Sequence, residues 1–296
     1  MRILLCALVA VCASVAAAAP VEEPLRVATL TTVLTEVARE VGGSEVRVAG
    51  LVGAGTDPHT FNPSPADVRE VVDADIVLAS GLHLEAYLGR LIGNAGDRSR
   101  VFSVGEKLPF VLSTGEGGSS EPDPHWWHSI GEMMAAVDLV RDAFTRLRPG
   151  AAPVFARNAA AYRKRLEDLR TWAVAAVSAL PPARRQLVTS HDAFGYLARD
   201  YGFRVYSINQ LSTDSEVDAA HLASLVDRVR RDRIRAVFAE SSANPRLVAN
   251  LMEETGAVLG GTLYADGLGP PGSGAEDYVS MYRHNLRAIV DGLAGP

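Results

Sequence analysis

The chain has 296 residues, enough for two domains of ordinary size, and with 48% hydrophobic and 22% charged residues it has the composition of a globular protein. Its 35 acidic residues outnumber its 29 Lys and Arg residues, which gives a formal net charge of -6. This balance argues against nucleic acid as a partner, because polyanion binding requires a basic surface. Both cysteines, Cys6 and Cys12, lie at the N-terminus.

The first residues have the three-part pattern of a secretory signal peptide. Arg2 precedes an apolar run at 3–11, and small residues follow at 16–19. The run is too short for a membrane span of about 20 residues. We therefore expect residues 1–18 to be removed and the rest of the chain to be exported to the periplasm. A lipid anchor is disfavoured, since a bulky residue precedes each cysteine.

Short β-branched segments alternate with helical patterns along the chain, which predicts βαβ units. The candidate strands are 26–30, 46–51, 76–79, 187–190, 204–208 and 236–239. Between them, Ser64 precedes Pro65 and Asn244 precedes Pro245, and a capping side chain followed by proline is typical of a helix start. The predicted fold class is α/β, with two lobes that each contain a mainly parallel sheet flanked by helices.

The middle of the chain predicts one long helix. Residues 153–180 are rich in Ala, Arg and Leu, contain no glycine, and end at a pair of prolines. A helix of about 27 residues would be about 40 Å long, more than one small domain needs. We interpret the segment 151–182 as a connection between an N-terminal lobe at 24–150 and a C-terminal lobe at 183–294. A long surface helix of a single domain is the alternative.

The tripeptide Asp-Pro-His occurs twice in the predicted N-terminal lobe, ending at His59 and at His125. Proline fixes the local backbone and keeps the residue before it extended, so each imidazole is presented on a rigid support. The two motifs are too far apart in sequence for a local metal finger, so any shared site must be assembled by the fold. Trp126 and Trp127 follow directly and are expected to form a wall of such a site.

Polar residues also follow predicted strands in the second half of the chain. His191 comes directly after the strand 187–190, and Asp266 precedes Gly267 at the end of an apolar segment. Open α/β sheets bind ligands at the carboxyl ends of their strands. Adjacent residues of a strand point to opposite faces, so the Ser-His-Asp run at 190–192 does not form a catalytic triad. Gly267 is expected to let the backbone at Asp266 move.

These motifs resemble those of the periplasmic zinc- and manganese-binding solute-binding proteins of metal ABC transporters. The matching segments are 55–61, 75–85, 123–127, 190–196, 236–242 and 260–267. The resemblance implies two lobes joined by a rigid helix, a metal ion held between the lobes, and transport without catalysis. It also implies a membrane ABC permease as the partner of a monomer that is not itself embedded in the membrane. The metal ligands it implies are His59, His125, His191 and Asp266.

The ligand set bears on the identity of the metal. Three imidazoles and one carboxylate suit tetrahedral Zn²⁺, whereas Mn²⁺ prefers more oxygen ligands and a higher coordination number. In the family that the chain resembles, the members dedicated to manganese tend to have Glu at the position of His191. Many zinc-dedicated members have a long His-rich or acidic loop before the second ligand, but the segment 113–124 is short and contains no histidine. We predict a high-affinity zinc carrier, with manganese as the alternative cargo.

Two more residues are candidates for a role near the metal. Glu240 follows the strand 236–239 and is a candidate to accept a hydrogen bond from a metal ligand, or to be an alternative ligand itself. His128 lies three residues after His125, close enough to compete as a ligand. Two other classes of protein remain as alternatives. A metal-dependent hydrolase would need a bound water and a general base, for which Glu240 is the candidate. A surface adhesin would need a lipid anchor and exposed apolar patches.

Overall fold

The structure, a computed structural model, describes residues 23–95, 100–114, 121–213 and 218–295. The predicted signal peptide at 1–18 lies outside these residues. Within the described ranges, none of the helices has both the length and the apolar character needed to cross a membrane.

The N-terminal lobe is built on a four-stranded parallel sheet. Its strands are β1 (Leu25–Thr29), β2 (Val46–Gly50), β3 (Ile76–Ala79) and β4 (Val101–Ser103), and their order is β2-β1-β3-β4. The helices of this lobe are α1 (Thr32–Gly42), α2 (Pro65–Asp73), α3 (Leu88–Ala95) and α4 (Ile130–Leu147). As predicted, Ser64 caps α2 and Pro65 is its first residue. A short antiparallel pair, β5 (Ser113–Thr114) and β6 (Glu121–Pro122), precedes α4.

The C-terminal lobe contains two pairs of parallel strands. Its strands are β7 (Gln186–Thr189), β8 (Arg204–Ser207), β9 (Ala236–Glu240) and β10 (Val258–Leu263). Within the pairs β7 bonds to β8 and β9 to β10, and β7 lies beside β9. The helices are α6 (Gly195–Tyr201), α7 (Ala219–Arg231), α8 (Pro245–Thr255) and α9 (Tyr278–Ala294). As predicted, Asn244 caps α8 ahead of Pro245.

A long helix joins the lobes. This helix, α5 (Ala152–Ser178), lies inside the predicted connecting segment 151–182 and has 27 residues. Its buried side chains recur every three or four residues, which places them on one stripe of the helix. They are Phe155, Ala159, Tyr162, Leu166, Leu169, Ala173 and Val177. The helix α5 packs against α1 and α4 of the N-terminal lobe and against α9 of the C-terminal lobe. The predicted fold class is confirmed, whereas the lobe boundaries at 24–150 and 183–294 stay predictions.

The main hydrophobic core extends through both lobes. It includes Val27 on β1, Phe155 on α5 and Phe238 on β9. Each sheet has a second, separate core on its other face, which includes Val77 in the N-terminal lobe and Val237 in the C-terminal lobe. Val237 and Phe238 are adjacent on one strand, so they point to opposite faces, as the alternation of strand side chains requires. The inner faces of the two sheets therefore share one core.

Candidate metal centre

The structure brings together the four residues that the sequence analysis singled out as ligands. All four lie on loops or short turns that follow strands: His59 after β2, His125 after β6, His191 after β7 and Asp266 after β10. One ligand atom from each lies within 4.8 Å of the other three. His125 and His191 have fully buried side chains, and those of Asp266 and His59 are only 2% and 6% exposed. Each lobe contributes two of the four.

The distances define a compact group of electron-pair donors. His125 Nε2 lies 3.2 Å from His59 Nε2 and 3.3 Å from His191 Nε2. Asp266 Oδ1 lies 3.5 Å from Nε2 of His59, 3.6 Å from that of His125 and 3.2 Å from that of His191. Among the described residues, Asp266 Oδ1 has no hydrogen-bond partner. Three nitrogens and one oxygen are thus arranged around a common centre in a buried site.

The charge of Asp266 depends on its neighbours. Burial alone would raise the pKa of this carboxyl group, because it disfavours the ionised form. Electrostatic attraction to His191 and the close imidazoles of His125 and His59 outweigh burial and hold the pKa of Asp266 well below its usual value. The carboxylate is therefore an anion, and it favours a cation at the centre of the group.

The aspartates of the two Asp-Pro-His motifs position the histidines, a function that the sequence analysis missed. Asp57 Oδ1 accepts a hydrogen bond of 2.8 Å from the backbone N–H of His59, and Asp123 Oδ1 accepts one of 2.9 Å from that of His125. Asp123 Oδ1 also lies 2.8 Å from Nδ1 of His125. Donation of the Nδ1 proton to this carboxylate assigns the tautomer that leaves Nε2 free as a ligand. The repeated aspartate was the available signal for these interactions.

Glu240 supports His191 in the same way. Its Oε1 accepts hydrogen bonds from the backbone N–H groups of Ser190 and His191, at 2.9 Å and 3.1 Å, and its Oε2 accepts one from Nδ1 of His191. Both oxygens are occupied, so Glu240 is neither among the four converging ligands nor free to act as a general base. The hydrolase alternative thereby loses its candidate base.

His128 contacts the loop of Asp266 and lies outside the group of four. Its Nε2 donates a 2.9 Å hydrogen bond to the carbonyl oxygen of Ala265, and Trp127 Nε1 donates another of 2.9 Å to the same oxygen. Burial lowers the pKa of His128 to about 3, so the ring is neutral. The Trp127 ring also packs edge-on against His125 at 5.4 Å between centroids. His128 and Trp127 therefore fix the backbone that precedes Asp266.

Gly267 lies where its loop packs closely against α1, and its predicted role in backbone movement stays a prediction. A Cβ atom at this position would lie 2.5 Å from Thr32 Oγ1, so the absence of a side chain allows the loop to approach α1 closely. The backbone N–H of Leu268 donates a 2.8 Å hydrogen bond to the same hydroxyl. The Asp266 loop is thus braced against the N-terminal lobe on one side and against Trp127 and His128 on the other.

A cavity of about 500 Å³ opens onto the site at His59, the most exposed of the four side chains. Both lobes line it: His83 and Glu121 belong to the N-terminal lobe and Leu211 to the C-terminal lobe. In the same loops, Thr213 Oγ1 donates a 2.5 Å hydrogen bond from the C-terminal lobe to Asp57 Oδ2 in the N-terminal lobe. The cavity therefore gives a route to the centre that passes between the lobes, next to this hydrogen bond.

Comparison with known proteins shows similarity along nearly the whole chain. The family described as zinc-uptake complex component A periplasmic (ZnuA) matches residues 27–292. The manganese-binding lipoprotein MntA of Bacillus subtilis (strain 168) is 35% identical over 289 residues, which cover 95% of this chain and 94% of that protein. The zinc-binding protein TroA of Treponema pallidum (strain Nichols) is 33% identical over 279 residues, or 92% of this chain and 89% of TroA.

Solved structures give the same result. The periplasmic zinc-binding protein TroA from Treponema pallidum superposes with a TM-score of 0.85 at 33% identity, over 92% of this chain and 99% of that chain. A Mn-bound periplasmic metal-binding protein from Candidatus Liberibacter asiaticus has a TM-score of 0.82 at 28% identity, over 90% and 98%. The likeness covers both lobes and confirms the resemblance seen in the sequence. The chain belongs to the ZnuA family of metal-binding components of ABC transporters, which are carriers and not enzymes.

Proposed function

We propose that this protein captures Zn²⁺ through His59, His125, His191 and Asp266 and delivers the ion to a membrane ABC permease for import. The supporting observation is the separation of the donor atoms: five of the six pairs lie 3.2–3.6 Å apart, and all four atoms lie within 4.8 Å of one another. A regular tetrahedron with an edge of about 3.3 Å has its centre about 2.0 Å from each corner, which is the length of a Zn–N bond. The five known separations therefore fit the dimensions of a four-coordinate zinc site.

Manganese is the alternative cargo. A relative that is 35% identical is named a manganese-binding lipoprotein, and one that is 33% identical is named a zinc-binding protein. Mn²⁺ prefers more oxygen ligands and a higher coordination number than the group supplies. Three nitrogens and a single oxygen, Asp266 Oδ1, face the centre, which favours zinc.

The site is suited to carriage of an ion. A catalytic zinc keeps one position open for water or substrate, whereas here four protein donors surround the centre. We place the protein outside the cytoplasm, as the description of its family indicates, with residues 1–18 as the cleaved signal. The ion would pass to the permease through the cavity at His59, where the two lobes meet.

Competition between the two metals tests this proposal. Metal-free protein is titrated with Zn²⁺ and Mn²⁺, singly and together, by isothermal titration calorimetry. We expect one ion per chain and tighter binding of Zn²⁺. The variants His59→Ala, His125→Ala and His191→Ala should each bind zinc far more weakly, with the fold verified by circular dichroism. His221→Ala is the matched control, since this exposed histidine bonds to the carbonyl oxygen of Ser207 on β8.

Each arm of the experiment has a result that contradicts the proposal. Zinc affinity that is unchanged in one of the three variants would remove that histidine from the ligand set. Binding of Mn²⁺ as tight as that of Zn²⁺, or tighter, would replace zinc with manganese as the cargo. An absence of binding in the unaltered protein would refute the carrier function at this site.

A further inference from the structure

The two carboxylate oxygens of Asp266 have different environments. Oδ1 faces the three histidines and has no hydrogen-bond partner among the residues that the structure describes. Oδ2 accepts a 2.5 Å hydrogen bond from Ser242 Oγ. We propose that Ser242 determines metal specificity, by holding Asp266 so that only one of its carboxylate oxygens faces the ion.

The position of Ser242 is fixed by its neighbours. The backbone N–H of Ser241 donates a 2.9 Å hydrogen bond to the carbonyl oxygen of Leu263, the last residue of β10 and the strand end that leads to Asp266. On its other side, Asn244 caps α8, which begins at Pro245. The Oδ1 atom of Asn244 accepts a 3.1 Å hydrogen bond from the backbone N–H of Arg246. The Ser242 hydroxyl is therefore presented to Asp266 from a segment that is held at both ends.

The backbone of Asp266 is fixed as well. The carbonyl oxygen of Ala265 accepts hydrogen bonds from Trp127 and His128, and the N–H of Leu268 bonds to Thr32. With the backbone held on both sides, rotation of the side chain is the main freedom left to the carboxylate. The hydrogen bond from Ser242 restricts this rotation. The side chain is only 2% exposed, so bulk water has little access to replace the serine hydroxyl.

The consequence for metal choice follows from coordination chemistry, and it rests on the proposed ligand set. With Oδ2 engaged by Ser242, the protein offers three nitrogens and one oxygen, the number that tetrahedral Zn²⁺ requires. If Oδ2 were released, both oxygens of Asp266 would reach the ion. The site would then have five donors and a larger share of oxygen, which is the direction that Mn²⁺ prefers. Ser242 therefore favours zinc over manganese.

The test compares Ser242→Ala with the unaltered protein. Affinities for Zn²⁺ and Mn²⁺ are measured separately by competition with a chelator of known affinity. We expect the ratio of zinc affinity to manganese affinity to fall about tenfold, as is typical when a group that orients a metal ligand is removed. Ser242→Thr keeps the hydroxyl and should restore the ratio. Ser241→Ala, at the exposed neighbouring position, is the matched control and should leave it unchanged.

The outcomes separate this inference from the proposed function. If Ser242 had only a structural role, Ser242→Ala would weaken the binding of both metals equally. An unchanged ratio of zinc affinity to manganese affinity in this variant would therefore overturn the specificity role. If His191→Ala still loses zinc binding in that case, the carrier function stands. Electron paramagnetic resonance of bound Mn²⁺ gives a second readout, since a change of carboxylate coordination alters the spectrum. An identical manganese spectrum in Ser242→Ala and the unaltered protein would also count against the proposal.

Discussion

Glu36 on α1 connects the long helix to the C-terminal lobe. Its Oε1 accepts a 2.7 Å hydrogen bond from the hydroxyl of Tyr162 on α5, and its Oε2 accepts one of 2.7 Å from the backbone N–H of Tyr278, the first residue of α9. Burial raises the pKa of Glu36 from 4.5 to about 7. Glu36→Gln should preserve both contacts, because an amide oxygen can accept from Tyr278 while the amide nitrogen donates to the hydroxyl of Tyr162.

The expected effect is a pH-dependent gain in stability. Below pH 4.5 the carboxyl group is protonated in both the folded and the unfolded chain, so charge does not penalise folding. Between pH 4.5 and about 7 the folded chain retains a proton that the unfolded chain has lost, so the free energy of unfolding falls as the pH rises. A pKa rise from 4.5 to about 7 corresponds to about 3 kcal/mol at pH 8. The Glu36→Gln variant has no such charge, so at pH 8 its free energy of unfolding should exceed that of the unaltered protein by up to that amount.

Urea unfolding of the metal-free proteins in the presence of a chelator measures this difference. The free energies of unfolding of the variant and the unaltered protein are compared at pH 4.5 and at pH 8, so that contributions of other groups cancel. Glu40→Gln, on the same helix but paired with Arg165, controls for the loss of one negative charge. The reasoning about Glu36 would be refuted by a stability difference of the same size at both pH values.

Three more predictions concern the metal site. Glu240→Gln should weaken zinc binding by about 10- to 100-fold, measured by chelator competition, and an unchanged affinity would show that Glu240 does not position His191. Zinc at about 1,000 times its dissociation constant should stabilise the fold by about 4 kcal/mol, and a melting temperature indifferent to zinc would contradict this. Thr213→Val removes the hydrogen bond to Asp57 between the lobes and should speed zinc dissociation about fivefold, for a loss of about 1 kcal/mol. Stopped-flow transfer to a chelator measures that rate, and an unchanged rate would show that the bond does not limit release.

The features that sequence predicts well here are local ones. Proline and capping residues correctly indicate the starts of α2 and α8, since those signals act within one helical turn. The run without glycine that ends at two prolines predicts α5. The carboxyl ends of strands also direct attention to the histidines and to Asp266, because that edge of a sheet is where loops from different strands meet.

Features that depend on close packing were not predictable in this way. β10 contains Gly260 and Gly261, which interrupt its apolar pattern, and the structure explains the first of them. A Cβ atom at Gly260 would lie 2.6 Å from the ring of Phe238, so this strand can approach its neighbour only without a side chain there. The hydrogen bond between Ser242 and Asp266 likewise joins residues that are 24 positions apart. No local pattern specifies which loop hydroxyl will meet which carboxylate.

The shared core along α5 has a consequence for how this protein can be divided or recombined. Phe155 near one end of the stripe and Val177 near the other belong to the same buried cluster as Val27 and Phe238, which lie in different lobes. A fragment containing one lobe would therefore expose a large apolar surface that the other lobe normally covers. In a chimera that takes one lobe from a relative, that lobe must pack against the buried stripe of α5 as well as supply its metal ligands. We therefore expect the two lobes to unfold together, and calorimetry of the metal-free chain should give one unfolding transition.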